Sequence, residues 1–74
     1  MLTLYGTPGC HLCDEAEALL RQAETARPLL WCYVDIAPDD ALVSRYGERI
    51  PVICTEDGRE MGWPFSLLDV VRLL

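Results

Sequence analysis

Leu4-Tyr5-Gly6-Thr7-Pro8-Gly9-Cys10-His11-Leu12-Cys13 is the stretch on which the fold turns. It starts in an apolar run (Met1, Leu2, Leu4, Tyr5), passes a Gly-Thr-Pro-Gly turn and ends on two thiols three positions apart. Beyond it, through Ala26, Leu12, Ala16, Leu19, Leu20 and Ala23 recur at three- and four-residue steps and give a helix one apolar face. A Cys-x-x-Cys where a strand gives way to a helix is the setting of a redox pair. The first thiol falls at the helix N-terminus, where unpaired backbone N–H groups and the helix dipole favour an anion. The thiolate is the attacking species in disulfide exchange, so that position promotes reactivity and is expected to hold the Cys10 pKa below the ordinary value of about 8.5. Asp14 and Glu15, near the same helix end, oppose this with negative charge.

Outward from the motif, Leu2 to Tyr5 reads as the first strand and Cys10 to about Ala26 as the first helix. Arg27-Pro28 ends that helix, because proline disfavours helical geometry in the residue before it. Leu29 to Asp35 is apolar and aromatic on both faces, the pattern of a strand covered on both sides. Pro38 opens a second, shorter helix through about Tyr46, and Gly47 stops it. Pro51 to Thr55 reads as a third strand, Asp57-Gly58 as a hairpin signal and Arg59 to Gly62 as the returning strand. Ser66-x-x-Asp69 approximates a capping box ahead of a final helix, Leu67 to Leu73. The order is β-α-β-α-β-β-α, with no repeat, low-complexity segment or linker. The first β-α-β unit is expected to be parallel and the last two strands an antiparallel hairpin.

Length and composition set the bounds. The 74 residues suffice for one small domain, 1–74, whose 51% hydrophobic content must go almost entirely into one layer stack. Four cysteines raise the possibility of a secreted disulfide scaffold. Met1 running directly into a strand, without a cleavable leader, and the long periodic segments point instead to a reducing, cytoplasmic setting. The charge-free run Pro28 to Val34 is too short to span a bilayer, so no membrane partner is expected. A net charge of −6, with six arginines and no lysine, is the reverse of a nucleic-acid footprint.

The order of elements, the motif from Leu4 to Cys13, the strand end Tyr33-Val34-Asp35-Ile36, Arg45-Tyr46-Gly47 and Arg49-Ile50-Pro51-Val52 together resemble the glutaredoxin branch of the thioredoxin superfamily, in particular its small bacterial glutaredoxin-like proteins. The resemblance covers essentially the whole chain. It implies an α/β thioredoxin-like fold, a four-stranded mixed sheet in order 2-1-3-4 with three helices. It also implies a cis peptide bond before Pro51, beside the thiols, where the lack of an N–H leaves neighbouring backbone free to pair with an incoming extended chain. The chain departs from glutaredoxins in two places. No basic residue precedes Cys10, and Met61-Gly62-Trp63-Pro64-Phe65 stands where a Gly-Gly pair usually helps hold glutathione. The Trp-Pro-Phe segment is similar to that of glutaredoxin-like electron donors reduced by thioredoxin reductase.

The resulting expectation is a monomeric thiol–disulfide oxidoreductase. Cys10 attacks a substrate disulfide and Cys13, one helical turn on, resolves the mixed disulfide. Pro8, His11, Ile50, Pro51 and Trp63 are the candidate substrate-binding residues. No cofactor is expected to be bound. Glutathione is a candidate co-substrate, and glutathione or a thioredoxin-reductase-like flavoprotein the candidate electron donor for a disulfide-containing protein substrate. His11, if protonated, stabilises the thiolate; otherwise it is a surface residue. Cys32 and Cys54 read as buried small hydrophobes, with a regulatory thiol as the alternative. Trp31, Tyr33 and Trp63 read as core or partner-facing residues, and Trp63 and Phe65 alternatively as the floor of a groove beside Cys10. Asp35 reads as a solvated carboxylate, or alternatively as a proton acceptor for Cys13. Two other classes compete: metal or iron–sulfur binding through the motif, with His11 as a third ligand, and a non-catalytic interaction module.

Overall fold

A computed structural model describes residues 1–73. The chain runs β1 (Leu2–Gly6), α1 (His11–Ala26), β2 (Trp31–Asp35), α2 (Asp40–Tyr46), β3 (Val52–Cys54), β4 (Glu60–Gly62) and α3 (Leu67–Leu73). The strands form one sheet in the order β2-β1-β3-β4. β1 pairs in parallel with β2 and antiparallel with β3, and β4 returns antiparallel to β3. This is the thioredoxin-like architecture that the glutaredoxin resemblance implies.

Strand alternation sorts the side chains into two cores. Leu2, Leu4 and Ile53 point to the face covered by α1 and α3, where they pack with Ala16, Leu20, Ala23, Phe65 and Val70. Tyr5 and Val52 point to the other face and meet Ile36, Leu42, Tyr46 and Ile50 around α2. β2 departs from the sequence reading. All five of its residues are only half-buried, because β2 lies at the sheet edge, where one flank has no neighbouring strand.

The helices start where side-chain acceptors meet their first N–H groups. The Asp39 carboxylate accepts from Ala41 N and Leu42 N, so α2 begins at Asp40, two residues later than Pro38 suggests. Such a cap contributes about 1 kcal/mol. Ser66 and Asp69 form the reciprocal capping box: Ser66 N donates to the Asp69 carboxylate and Asp69 N to Ser66 Oγ. Gly47 follows α2 but keeps right-handed helical dihedrals (φ −51°, ψ −38°) in place of a left-handed cap. Gly58 does take a positive φ, 91°, in the loop of residues 55–59 that joins β3 to β4.

One polar cluster clamps α2 to the sheet. The Glu60 carboxylate accepts from Tyr46 Oη at 2.6 Å, Arg49 at 3.1 Å and Arg45 at 3.2 Å. Tyr46 stacks on Tyr5 with ring centroids 4.5 Å apart. The Tyr46 hydrogen bond, followed by that of Arg49, holds the Glu60 carboxyl below its usual range, while the same bond to Glu60 pushes the Tyr46 phenol up to about 12. The lowered Glu60 value means that the clamp stabilises the fold above the ordinary carboxylate range and is lost as pH falls through the folded value. The raised Tyr46 value means that it is also lost as pH rises through about 12. Tyr46→Phe is therefore expected to flatten the acid limb of stability below about pH 5, read from urea midpoints against pH. Parallel acid limbs in the two proteins would show that the clamp carries no such linkage.

Candidate active site

Gly9 supplies the turn that delivers the chain from β1 to α1. Its φ of 84° lies in the left-handed region that a Cβ disfavours. Cys10 then stands at the N-cap of α1 with extended backbone (φ −87°, ψ 108°). Its Sγ accepts the backbone N–H of Cys13 at 3.1 Å, the bond a serine or aspartate oxygen makes in an ordinary cap. Cys10 and Cys13 are joined as a disulfide, with Cα atoms 5.2 Å apart. The two sulfurs differ in surroundings: Cys10 is half-buried, whereas Cys13 is completely buried. His11 and Leu12, between them, are exposed, Leu12 at 43%.

Register places the other candidates. Tyr5 opposes Val52, and Val52 opposes Gly62. One step further along the sheet, Gly6, Pro51 and Trp63 form a row on the face that carries α1. The bond from Trp63 N to Pro51 O, 3.1 Å, ties that row together. Pro51 is fully buried and follows a cis peptide bond, and Trp63-Pro64 is cis as well. Trp63 packs edge-on against Phe65, centroids 5.1 Å apart, so it joins the core and the row at once. Pro8 is exposed in the turn ahead of Cys10. Ile50 is half-buried and belongs to the α2 core. Register thus sets Pro51 and Trp63 at the end of the sheet where β1 leads into the turn before Cys10, with Ile50 turned to the opposite face.

Two sequence expectations change. The backbone beside Pro51 is partly spent inside the fold, since Ile50 N donates to Tyr46 O and Pro51 O accepts from Trp63 N. Strand pairing with an incoming chain is narrowed accordingly. Cys32 and Cys54 are half-buried, not sealed in the core. Both pair in register with Thr3, which puts them on the α2 face, and α2 is too short to cover that end of the sheet. They lie on the opposite face from Cys13, so the four sulfurs cannot share a metal. Asp35 keeps the setting of a solvated carboxylate, with one oxygen accepting the backbone N–H of Ala37 at 2.9 Å in an exposed local turn. Among the described residues no group of three or more His, Cys, Asp or Glu side chains converges as a metal site.

Sequence reading missed the crowding behind the motif. A Cβ built on Gly6 would lie 2.7 Å from Tyr33 Oη and 3.1 Å from both Cβ and Sγ of Cys13. Glycine at position 6 is what lets α1 seat its buried sulfur against β1. The only signal in the sequence was a glycine at the end of an apolar strand, which reads equally well as part of the turn.

Comparison with known proteins agrees with this geometry. The crystal structure of protein XcR50 from X. campestris is 42% identical with a TM-score of 0.87, over 99% of this chain and 93% of that one. The solution structure of Ne2328 from Nitrosomonas europaea is 27% identical with a TM-score of 0.82, over 99% of this chain and 88% of that one. No curated protein matches. The model of the glutaredoxin-like domain (DUF836) matches residues 1–74, the full span over which strand, turn, dithiol and buried cis-proline have just been traced, and the chain belongs to that family.

Proposed function

We propose that this protein is a thiol–disulfide oxidoreductase that cycles Cys10 and Cys13. The observation that carries the reading is the asymmetry of the pair. One sulfur caps a helix and reaches the surface, and its partner is wholly buried one turn away. In the forward reaction the Cys10 thiolate attacks a substrate disulfide, forms a mixed disulfide and expels one substrate thiolate. The Cys13 thiolate then attacks Cys10 Sγ, closes the internal disulfide and releases the second substrate thiolate. Two electrons pass to the substrate. A thiol co-substrate or a flavoprotein reductase returns them, and no bound organic cofactor enters either step.

Protein disulfides are the favoured substrate. Leu12 presents an exposed apolar side chain beside Cys10. The two arginines ahead of Pro51 are drawn onto Glu60, which satisfies both cations. Glutathione, which carries two carboxylates, gains little there. Work in a reducing compartment such as the cytoplasm accords with this chemistry. A side-by-side turnover assay tests the reading: a protein disulfide and a small glutathione mixed disulfide, each with glutathione and with thioredoxin reductase as donor. Faster turnover of the protein disulfide is expected with at least one donor. A chain that turns over neither substrate, and binds stoichiometric metal or iron–sulfur instead, would overturn the proposal.

A further inference from the structure

Tyr33 has no role in the scheme so far, yet its hydroxyl ends beside the resolving sulfur. It lies on β2 in register with Leu4, on the face that α1 covers. The position a Cβ would occupy on Gly6 is 2.7 Å from Tyr33 Oη and 3.1 Å from Cys13 Sγ, so hydroxyl and sulfur border one methyl-sized space. That matters because Cys13 is completely buried. A thiolate there has no water around it, and burial disfavours the anion. The charges that bear on this corner are all negative: Asp35 from β2, Glu17 and Asp14 from α1. β1 and β3 add none, since Leu4, Gly6, Pro51 and Ile53 are uncharged. The phenol is a neutral donor at this corner.

We propose that the Tyr33 hydroxyl donates a hydrogen bond to Cys13 Sγ while that sulfur is a thiolate, an assignment that rests on the dithiol reading above. The step it assists is the second exchange. Cys13 gives up its proton to solvent, its electron pair forms the bond to Cys10 Sγ, and the bond from Cys10 to the substrate sulfur breaks with the pair leaving on the substrate thiolate. Tyr33 keeps its proton throughout. Burial first, then the Asp35, Glu17 and Asp14 charges, push the phenol above its ordinary range, so it stays a donor at neutral pH. Once the internal disulfide has closed, the sulfur carries no charge and the hydroxyl has less to bind.

Tyr33→Phe removes one oxygen and keeps the ring packing. Both chains, full-length and carrying Cys32→Ser and Cys54→Ser, are reduced and mixed in stopped flow with an aromatic disulfide such as Ellman's reagent. The first equivalent of aryl thiolate reports attack by Cys10 and the second reports resolution by Cys13. The first phase is expected to match within about twofold and the second to slow about tenfold, the scale of one hydrogen bond to a charged group. The pH profile of the second phase is expected to move up by about one unit. Coincident second phases and pH profiles would overturn the assignment. Equal slowing of both phases would overturn it too, by marking a purely structural role. Failure of the dithiol reading is a separate result: the chain with Tyr33 intact would then release no second equivalent.

Discussion

Cys13→Ser is expected to trap the protein as a mixed disulfide through Cys10, whereas Cys10→Ser loses turnover by about 10³-fold or more. The asymmetry follows from exposure. In the proposed reaction substrate reaches Cys10, the half-buried cap of α1, and not Cys13, which has no exposed surface. With Cys13 removed, attack by Cys10 still proceeds and the adduct has no internal partner to release it. With Cys10 removed, the buried sulfur has no route to substrate. Intact-mass measurement after exposure to a disulfide substrate checks both: one adduct per chain on Cys13→Ser, located at Cys10 by peptide mapping, and none at Cys13 on Cys10→Ser. The half-buried Cys32 and Cys54 must be replaced by serine in both chains, so that the count reports the motif alone. Full turnover by Cys10→Ser would reverse the order of the two sulfurs.

The largest stability effect is expected at Leu4. It is fully buried in β1, the strand with β2 on one side and β3 on the other, and belongs to the core beneath α1 and α3. Truncating a buried leucine to alanine costs about 2–5 kcal/mol, the range depending on how far the cavity collapses. A single core of this size supplies no more than about 3–5 kcal/mol of net stability. Leu4→Ala should therefore leave a large fraction of the chain unfolded without denaturant. The Cys10–Cys13 disulfide offers little rescue, because it closes only a short loop. Leu30→Ala makes the contrast: Leu30 is 79% exposed, and its removal should change stability by no more than about 0.5 kcal/mol. Circular dichroism through a urea titration separates the two. Similar midpoints for both variants would mean that the β1 core is not the seat of stability.

Much of the architecture is legible along the chain because its signals are local. The helical period after Cys13, the proline after Arg27, the Ser66–Asp69 box and the Asp57-Gly58 turn each act within a few residues. So does the thiol at the helix start: spacing alone puts Cys10 at the cap and Cys13 one turn on. The glutaredoxin resemblance, not a local pattern, implies Pro51 beside the motif, because that position depends on β3 taking the right register.

What escaped the sequence depends on which strand lies beside which. Leu29 to Asp35 reads as a buried strand because its composition is apolar, but composition does not say that β2 is the edge of the sheet. Cys32 and Cys54 read as core for the same reason, and only their common pairing with Thr3 puts them on the thinly covered face. The clamp of Tyr46, Arg45 and Arg49 on Glu60 spans 11 to 15 positions of chain, and no local pattern announces it. The chain by itself thus determined the elements, their order and the placing of the dithiol pair at the helix start, since backbone geometry and capping are decided by near neighbours. Tertiary structure alone decided how the pair is surrounded: a glycine under the buried sulfur, a phenol from another strand next to it and acidic groups around both. Those contacts arise from sheet register and helix docking, and both are settled by packing between segments far apart in sequence.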